Sequence, residues 1–387
     1  MSNPIPYGRQ NINQDDIDAV INVLQSDYLT QGPIVPAFED AVALYCNVNH
    51  AVAVNSATSA LHIGCLALGV NKGDWVWTSP ITFVASANCA LYCGANIDFV
   101  DINPATYNIS VTALKVKLEQ AYANGCLPKV VIPVHLCGQP CEMEAIHALS
   151  KQYGFNVIED ASHAIGASYK GEKLGNCLYS DITVFSFHPV KIITTAEGGL
   201  ATTNNPLLAR RMELFRSHGI TRDPAEMTVE SDGSFYYQQI ELGYNYRLTE
   251  MQAALGLSQL KRLDMFVNRR HEIAQQYNRL LADVDVVLPW QHPNTYSSLH
   301  LYVIRLMDSS RHKEVFEALK EESILVNLHY IPVYRQAYYE QFRFDRTDFP
   351  EAEKYYEEAI SIPMYYGLSD KDVARVASAI KKIVQKK

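Results

Sequence analysis

The chain has 387 residues, of which 48% are hydrophobic and 19% charged, a composition typical of a folded globular protein and not of a disordered one. Its formal net charge of −9 and its pI of about 5.7 argue against a nucleic-acid partner, because a phosphate backbone requires concentrated Lys and Arg. No apolar run reaches the roughly 18 residues that a membrane span requires, and the first residues lack a signal-peptide layout. We therefore expect no membrane partner and a cytoplasmic location.

From about residue 50, strand-like runs alternate with helical periodicity, beginning with HAVAVN and SATSALHIGCLALGV and ending with DITVFSF. This alternation is typical of βαβ units and predicts an α/β fold with a largely parallel sheet between helices. Ligands of such sheets bind beyond the carboxyl ends of the strands. The three strand ends to examine are therefore residues 55–58, 160–163 and 186–191.

The C-terminal third follows a different pattern. A long helical stretch at residues 248–281 is followed by an alternating strand, SLHLYVIRLM, and by further helices, the last of which is opened by Ser369. We expect two domains: residues 1–265 form an N-terminal arm and a large domain, and residues 266–387 form a smaller α+β domain, with the long helix at the boundary. Residues 221–240 are predicted to be a loop.

The three strand ends carry side chains suited to different groups. NSATSALH opens a helix with small hydroxyl residues, so its backbone N–H groups could bind a phosphate. An ordinary helix cap without a ligand would have the same sequence pattern. Asp160 ends an apolar strand, where a carboxylate needs a cationic or N–H partner such as a pyridinium nitrogen or a local arginine. Lys191 follows another apolar strand; desolvation would lower the pKa of its amine and let it attack a carbonyl, whereas a solvated lysine would not.

Taken together and in this chain order, a phosphate seat, an acid and an amine are the three anchors that pyridoxal phosphate (PLP) requires. Phe83, which follows the second strand, could cover the ring of the cofactor. No glycine fingerprint of a dinucleotide-binding or P-loop protein is present. The cluster His135, Cys137, Cys141 and His147 lacks the spacing of a zinc site, so we expect no metal.

Nearly from end to end, the chain resembles the DegT-type sugar-nucleotide aminotransferases, a branch of the fold-type I PLP enzymes. This resemblance implies the fold of that class, PLP as the cofactor, and transamination as the reaction. Several of its motifs together are similar to the transaminases of pseudaminic acid biosynthesis. The motifs are YLTQGP (28–33), NSATSALH (55–62), PITFVASAN (80–88), EDASHAIG (159–166), FSFHPVKIITTAEGG (185–199), FRSHG (215–219), GYNYRLTEMQAALGLSQL (243–260) and LHYIPVY (328–334).

The resemblance implies a role for each matching position around the cofactor. Lys191 would carry PLP as a Schiff base and shuttle the proton, and Asp160 would keep the pyridine nitrogen protonated. Asn245 would reach the cofactor phosphate of the neighbouring subunit, which implies a homodimer with shared active sites. The remaining cofactor contacts would be Ala57, Thr58 and Ser186 at the phosphate, Phe83 on the ring, and His163 beside the phenolic oxygen.

For the substrates, the resemblance implies L-glutamate as amino donor and a UDP-linked 4-keto-6-deoxy sugar as acceptor. Tyr330 and His329 could stack on the nucleotide sugar or hydrogen-bond to it, although in a chain with 24 tyrosines Tyr7 and Tyr330 could equally be packing residues. The full set of implied substrate contacts is Tyr7, Asp27, Tyr28, Leu29, Thr30, Asn327, Leu328, His329 and Tyr330.

Four other functions stay open on the sequence. The first is an aminotransferase for another UDP- or dTDP-linked keto sugar, aminated at the third or fourth carbon. The second is a deoxygenating relative, although that branch replaces the Schiff-base lysine by histidine and Lys191 argues against it. The third is a non-catalytic ligand sensor on a PLP fold, and the fourth is a nicotinamide oxidoreductase, for which the glycine fingerprint is missing.

Overall fold

Strands and helices alternate through the first half of the chain, as predicted. The computed structural model describes residues 3–385. The helices are α1 (Gln14–Leu24), α2 (Ile34–Cys46), α3 (Ala57–Ala67), α4 (Ala85–Tyr92), α5 (Val111–Asn124), α6 (Met143–Tyr153), α7 (Pro206–Arg216), α8 (Glu250–Leu260), α9 (Leu263–Leu280), α10 (His312–Glu321), α11 (Pro350–Glu358) and α12 (Asp370–Val384). Short 3₁₀ helices lie at Leu136–Gly138, Ser309–Arg311, Val333–Arg335, Ala337–Phe342 and Arg346–Asp348.

The strands are short and belong mainly to one central sheet and one smaller sheet. They are β1 (His50–Val54), β2 (Trp75–Thr78), β3 (Asn96–Phe99), β4 (Val130–Ile132), β5 (Asn156–Asp160), β6 (Ser168–Tyr169), β7 (Glu172–Lys173), β8 (Ile182–Ser186), β9 (Gly199–Thr203), β10 (Ile220–Thr221), β11 (Gln238–Gln239), β12 (Val286–Val287), β13 (Thr295–Tyr296), β14 (Tyr302–Leu306) and β15 (Ala359–Ile362).

The central sheet has the order β1-β9-β8-β5-β4-β2-β3. Only β9 runs against its neighbours, being antiparallel to both β1 and β8, while the pairs from β8 to β3 are parallel. No helix of the described chain lies between β8 and β9, and antiparallel strands need no crossover helix. The mainly parallel sheet is therefore confirmed, and its carboxyl ends at Val54, Asp160 and Ser186 lie along one edge.

Helices cover both faces of the sheet. Neighbouring strand residues point to opposite sides, so both faces carry apolar side chains that the helices bury. Val130 and Ile132 of β4 pack in one core with α3 and α4, whereas Val131 packs in another core with α5 and α6. A third core joins α2 and α8 to Phe185 of β8. Burial on both faces explains why these strands read as continuous apolar runs.

Two buried carboxylates join α1 and α2 to α8 and to the start of α9. Asp16 of α1 is fully buried and accepts hydrogen bonds from Ser258 Oγ (2.6 Å) and Gln259 Nε2 (2.7 Å), and it forms an ion pair with Arg262. Glu250, also fully buried, accepts from the backbone N–H groups of Ile34 (2.6 Å) and Val35 (3.2 Å). Its carboxylate thus caps α2, whose first N–H groups have no intrahelical partner.

The prediction of one continuous helix over residues 248–281 is wrong, because the helix is interrupted. The structure has two helices, α8 and α9, separated at Lys261 and Arg262, where Arg262 adopts a non-helical backbone conformation. The guanidinium of Arg262 binds Asp16 and the side chain of Asn11 instead. The expected domain boundary between residues 265 and 266 falls within α9. The division into two domains stays a prediction. Its first two residues, 1–2, and its last two, 386–387, lie outside the described residues.

The smaller sheet, β12-β14-β15, is antiparallel and packs with α9, α10 and α12 in a separate core. This is the α+β arrangement expected for the C-terminal part. Ser369 opens α12, and its hydroxyl accepts from the backbone N–H of Asp372 (3.1 Å), as the sequence predicted. Across residues 3–385, the structure contains no helix with the length and apolar character needed to cross a bilayer.

Candidate active site

A cavity of about 800 Å³ opens beyond the carboxyl ends of β1, β5 and β8. It brings together most of the residues that the sequence singled out. Those that line it are Tyr7, Ala57, Thr58, Phe83, Asp160, His163, Ser186, Lys191, Asn327, Leu328, His329 and Tyr330. The three strand ends therefore meet in one place, together with a segment of the C-terminal part.

Five predicted site residues lie outside this cavity: Asp27, Tyr28, Leu29, Thr30 and Asn245, all exposed. The two segments are nonetheless neighbours, because the carbonyl of Leu29 accepts from the backbone N–H of Glu250 (3.0 Å), five residues after Asn245. Within a single chain these residues do not line the cavity.

The start of α3 forms one wall of the cavity. Ser56 caps the helix, and its Oγ accepts from the N–H of Ser59 (3.1 Å), so the N–H groups of Ala57 and Thr58 lie in the first turn, where no intrahelical acceptor exists. A Cβ on Gly199 of β9 would lie 2.3 Å from the carbonyl carbon of Ser56 and 2.4 Å from the nitrogen of Ala57. Glycine at this position lets β9 hold the helix start against the sheet, with free donors and a positive dipole end.

Asp160, the last residue of β5, is 4% exposed. Its Oδ2 accepts from Ser86 Oγ (2.6 Å) and its Oδ1 from the N–H of Ser162 (3.1 Å). Ser86 is fully buried and lies 2.7 Å from the hydroxyl of Thr82, so the two hydroxyls form a chain that ends on the carboxylate. Within residues 3–385 no Lys, Arg or His forms an ion pair with Asp160. A cationic N–H group in the cavity would supply the partner that this carboxylate needs.

Lys191 lies in the connection between β8 and β9, where its N–H donates to the carbonyl of His188 (2.9 Å). Its side chain lines the cavity. Burial lowers the pKa of its amine from 10.5 to about 8, although the nearby Asp160 carboxylate partly opposes that shift. Roughly a tenth of the amine is then neutral at pH 7, which is enough for it to act as a nucleophile or a base.

His163 and Tyr330 form a pair in the wall of the cavity. His163 Nε2 lies 3.1 Å from the hydroxyl of Tyr330, and the ring of His300 lies behind it, 4.4 Å away between centroids. Burial lowers the pKa of His163 and raises that of Tyr330, so both are neutral. His163 Nδ1 is buried without a hydrogen-bond partner. Tyr330 also lines the cavity, and its role toward a substrate stays a prediction.

His329, a predicted substrate contact, is 7% exposed. Its Nδ1 lies 2.9 Å from Ser361 Oγ and its Nε2 3.4 Å from Asn327 Nδ2, so both ring edges are used within the protein. Burial, and then the charge of Lys191, lowers its pKa to about 4. Phe83, in contrast, is 57% exposed, and its ring is available for a ligand at the cavity wall.

Both histidines of the cluster His135, Cys137, Cys141 and His147 have hydrogen-bond partners within the fold. His135 Nε2 lies 2.8 Å from Glu159, and its Nδ1 accepts from the N–H of Cys141 (2.9 Å). His147 bonds to the carbonyl of Tyr179 (3.0 Å). In the described part of the chain, no group of three or more His, Cys, Asp or Glu side chains is arranged to hold a metal ion.

Residues 10–381 match the DegT/DnrJ/EryC1/StrS aminotransferase family. The chain belongs to this family. It is 39% identical to the Bacillus subtilis spore coat polysaccharide biosynthesis protein SpsC over 387 residues, 98% of this chain and 97% of the relative. It is 38% identical to a Campylobacter jejuni UDP-4-amino-4,6-dideoxy-N-acetyl-beta-L-altrosamine transaminase over 390 residues, covering 99% and 98% of the two chains.

Solved structures of sugar aminotransferases share the whole fold. Helicobacter pylori PseC, an aminotransferase involved in the biosynthesis of pseudoaminic acid, superposes with a TM-score of 0.90 at 33% identity and covers 99% of this chain and 100% of its own. The PLP-form of Spr1654 from Streptococcus pneumoniae superposes with a TM-score of 0.89 at 28% identity, with 99% of each chain covered. The fold-type I class, PLP as cofactor and sugar aminotransferase activity follow from the family.

The cavity fits this cofactor. Asp160 is a buried carboxylate with no ion pair in the described part of the chain, and it suits a protonated pyridine nitrogen; Lys191 is an amine with a lowered pKa that suits an aldehyde. The start of α3 offers free N–H donors to a phosphate, with Ser186 nearby in the same lining.

Sequence reasoning missed several residues of the site. Ser86 could have been found, because Thr82 and Ser86 are hydroxyl residues that closely follow β2, at the edge of the sheet where Asp160 was predicted to lie. Gly199 gave a weaker signal as the last glycine of a recognised motif. His300 gave none, since it lies in an apolar stretch and meets His163 only through the tertiary fold.

Proposed function

We propose that this protein transfers an amino group from L-glutamate to the keto carbon of a UDP-linked 4-keto-6-deoxy sugar, as a step of pseudaminic acid-type amino sugar synthesis. The observation that carries the proposal is the meeting of Lys191, Asp160 and the start of α3 around one cavity. The sugar and the position of amination are supported by the 38% identity, over nearly the whole chain, to the C. jejuni altrosamine transaminase.

Lys191 would bind the cofactor and then act as the acid and base. PLP supplies an aldehyde that accepts the amino group and a ring that stabilises negative charge on the substrate carbon. With its pKa near 8, the amine of Lys191 can take a proton from the carbon of the donor and return one to the carbon of the sugar at neutral pH. Its place on the connection between β8 and β9 puts it at the carboxyl edge of the sheet.

Asp160 would hold the pyridine nitrogen in its protonated form. The hydroxyl of Ser86 and the N–H of Ser162 both donate to this carboxylate, which stabilises its charge and fixes its orientation. Ala57, Thr58 and Ser186 would bind the phosphate, and His163 would lie near the phenolic oxygen, oriented by Tyr330. Phe83 would cover the ring.

We also propose a homodimer in which each cavity is completed by the other subunit. Asn245 and residues 27–30 are exposed and lie outside the cavity of their own chain, yet their segments are joined through the Glu250 backbone. Large apolar side chains are exposed in these segments and beside them, including Tyr28, Leu29 and Leu242. Apolar residues clustered around candidate site residues suit an interface between two copies better than free solvent.

Mixing two inactive variants tests the shared site. When Lys191→Ala and Asn245→Ala chains are co-expressed with different tags, half of the dimers are mixed, and one of the two sites in each mixed dimer has both residues intact. We expect recovery of about a quarter of the parent activity per mole of protein. Mixing Lys191→Ala with the double variant Lys191→Ala/Asn245→Ala is the control and should recover none. Equal rates from both mixtures would contradict the shared site.

A panel of substrates tests the reaction itself. The enzyme loaded with PLP is mixed with L-glutamate and each of several UDP- and dTDP-linked 4-keto and 3-keto sugars, and the product is measured by its mass shift. We expect a UDP-linked 4-keto-6-deoxy sugar to give the highest kcat/KM. A higher value for a dTDP-linked or 3-keto sugar would favour the alternative acceptor. L-Aspartate and L-alanine in place of glutamate test the donor.

We place this reaction in the cytoplasm. The eight cysteines are all free thiols, as expected of a protein kept in a reducing compartment.

A further inference from the structure

A buried histidine, His62, packs against the segment that carries Asn245. His62 lies on α3, the helix whose start faces the cavity, but it is outside the lining of the cavity and only 3% exposed. Its ring contacts those of Tyr244 and Tyr246, the two neighbours of Asn245, with ring centroids 4.8 Å and 6.0 Å away. No step of the proposed reaction uses His62.

The segment around Asn245 is extended and is held at both of its edges. On one side, Asn245 forms an antiparallel bridge with Ser217. On the other side, the carbonyl of Tyr246 accepts from the N–H of Asn55 (2.8 Å), the residue just before the cap of α3. Successive side chains of an extended segment point to opposite sides. Because the two flanking tyrosines both contact His62, Asn245 points away from it, to the exposed side.

The imidazole of His62 adds a specific contact to this packing. Its Nδ1 lies 3.2 Å from the hydroxyl of Tyr246, whereas its Nε2 is buried without a hydrogen-bond partner among the residues that the structure describes. An unpaired buried nitrogen costs free energy, and an apolar side chain could fill the same space without that cost. The rings of Tyr244 and Tyr246 stack on each other, 4.9 Å apart and 14° from parallel. The three rings therefore form one block, and the hydrogen bond fixes the orientation of Tyr246 within it.

We propose that His62 is a positioning residue for the cofactor site of the other subunit. By holding Tyr244 and Tyr246, it sets the direction of Asn245, which reaches the PLP phosphate in the partner's cavity. This inference rests on the shared site of the proposed function and adds to it a residue that acts only through Asn245. A change at His62 should therefore weaken PLP binding in the cavity of the partner and leave binding in its own cavity intact.

The competing explanation is that His62 only stabilises its own helix. The helix α3 begins at the Ala57 and Thr58 donors, so a gap left within it would loosen the phosphate site of the same chain. That effect acts in cis, within one chain, whereas the positioning of Asn245 acts in trans, on the partner. Mixed dimers separate the two because they confine the change to one chain.

Two mixed dimers with the same substitutions in different arrangements make the test. In each dimer only one chain keeps Lys191, so only one cavity can link PLP to a lysine. In the first dimer, one chain carries both Lys191→Ala and His62→Ala and the other is the parent chain. In the second, one chain carries Lys191→Ala and the other carries His62→Ala. The chains have different tags, each mixed dimer is purified through both tags, and PLP is titrated while the absorbance of lysine-linked PLP is measured.

We expect the first dimer to bind PLP about tenfold more weakly than the second, because its lysine-containing cavity receives Asn245 from the chain that lacks His62. The second dimer should match a dimer of the parent chain with a Lys191→Ala chain. Equal affinities in the two arrangements, or weaker binding in the second, would overturn the proposal, since His62 would then not act on the partner.

Tyr246→Phe repeats the test without leaving a gap in α3. It removes only the hydroxyl near His62 Nδ1 and should give a smaller loss in the same arrangement of chains. Ile63→Val, which shortens a fully buried side chain of the same helix, is the control and should give equal affinities in the two arrangements. A loss for Tyr246→Phe within its own chain would count against the proposal even if His62→Ala did not fold.

Asn245→Ala in the same two arrangements distinguishes a failure of this inference from a failure of the proposed function. If Asn245→Ala weakens PLP binding in trans while His62→Ala and Tyr246→Phe do not, the shared site stands and His62 has no part in it. If Asn245→Ala has no effect in trans, the shared site is wrong and the role of His62 falls with it.

Discussion

Replacing Lys191 with alanine should lower kcat by about 10⁴-fold or more, because the variant loses both the amine that binds the cofactor and the group that moves the proton. The fold should persist, since a desolvated amine with a lowered pKa contributes little to stability. Turnover is measured with glutamate and the preferred keto sugar, and melting temperature is measured alongside. Lys151→Ala, which removes an exposed lysine of α6, is the control and should keep the parent rate.

The lowered pKa of Lys191 gives this prediction a second measurement. Only the neutral amine attacks the aldehyde, so the rate at which the apoenzyme captures PLP should rise about tenfold per pH unit below pH 8 and level off above it. An ordinary lysine would let that rate keep rising towards pH 10. If Lys191→Ala turned over at the parent rate, or if capture kept rising past pH 9, the assignment of the nucleophile would be wrong.

Asp160→Asn should lower kcat by about 10² to 10³-fold and weaken the binding of PLP, because an amide cannot balance the charge of a protonated pyridine nitrogen. A carboxylate and a carboxamide are similar in size, so the packing at the end of β5 should change little. Turnover at saturating PLP separates the effect on the reaction from the effect on binding, and a spectral titration measures the latter.

Two further variants serve as comparisons for Asp160→Asn, one with a milder expected effect and one as a control. Ser86→Ala removes one hydrogen bond to the carboxylate and should give a smaller loss in the same direction. Asp40→Asn, at an exposed position of α2, should change neither quantity. A parent-like kcat for Asp160→Asn at saturating PLP would show that this carboxylate does not support the cofactor.

Local sequence predicted the segments that meet at the cavity because each directly follows an apolar strand. Val54, Asp160 and Ser186 end strands whose apolar runs are easy to read, and a parallel sheet places such ends along one edge. The direction of a strand and the continuity of a long helix were harder to predict. Nothing in Gly199–Thr203 distinguishes an antiparallel from a parallel strand, and the break between α8 and α9 depends on Arg262 meeting Asp16, which is 246 residues away in the chain.

The side-chain partners within the site could not be predicted for the same reason. The hydroxyl of Tyr330 bonds to His163, which is 167 residues away, and the ring of His329 bonds to Ser361. Neither contact leaves a periodic or compositional signal, since each joins residues that meet only through the tertiary fold. The roles of these side chains toward a substrate stay predictions.

Glu250 has a practical consequence for exchanging residues 28–35, which include three proposed substrate contacts. Its carboxylate holds the N–H groups of Ile34 and Val35, its own N–H holds Leu29, and a Cβ on Gly32 would lie 2.9 Å from its Oε2. The backbone of residues 28–35 is thus held in place by hydrogen bonds to one residue of α8, Glu250. A chimera that imports this stretch from a homologue should therefore import the acid at position 250 with it, since a graft without that acid would lose the anchor that shapes it.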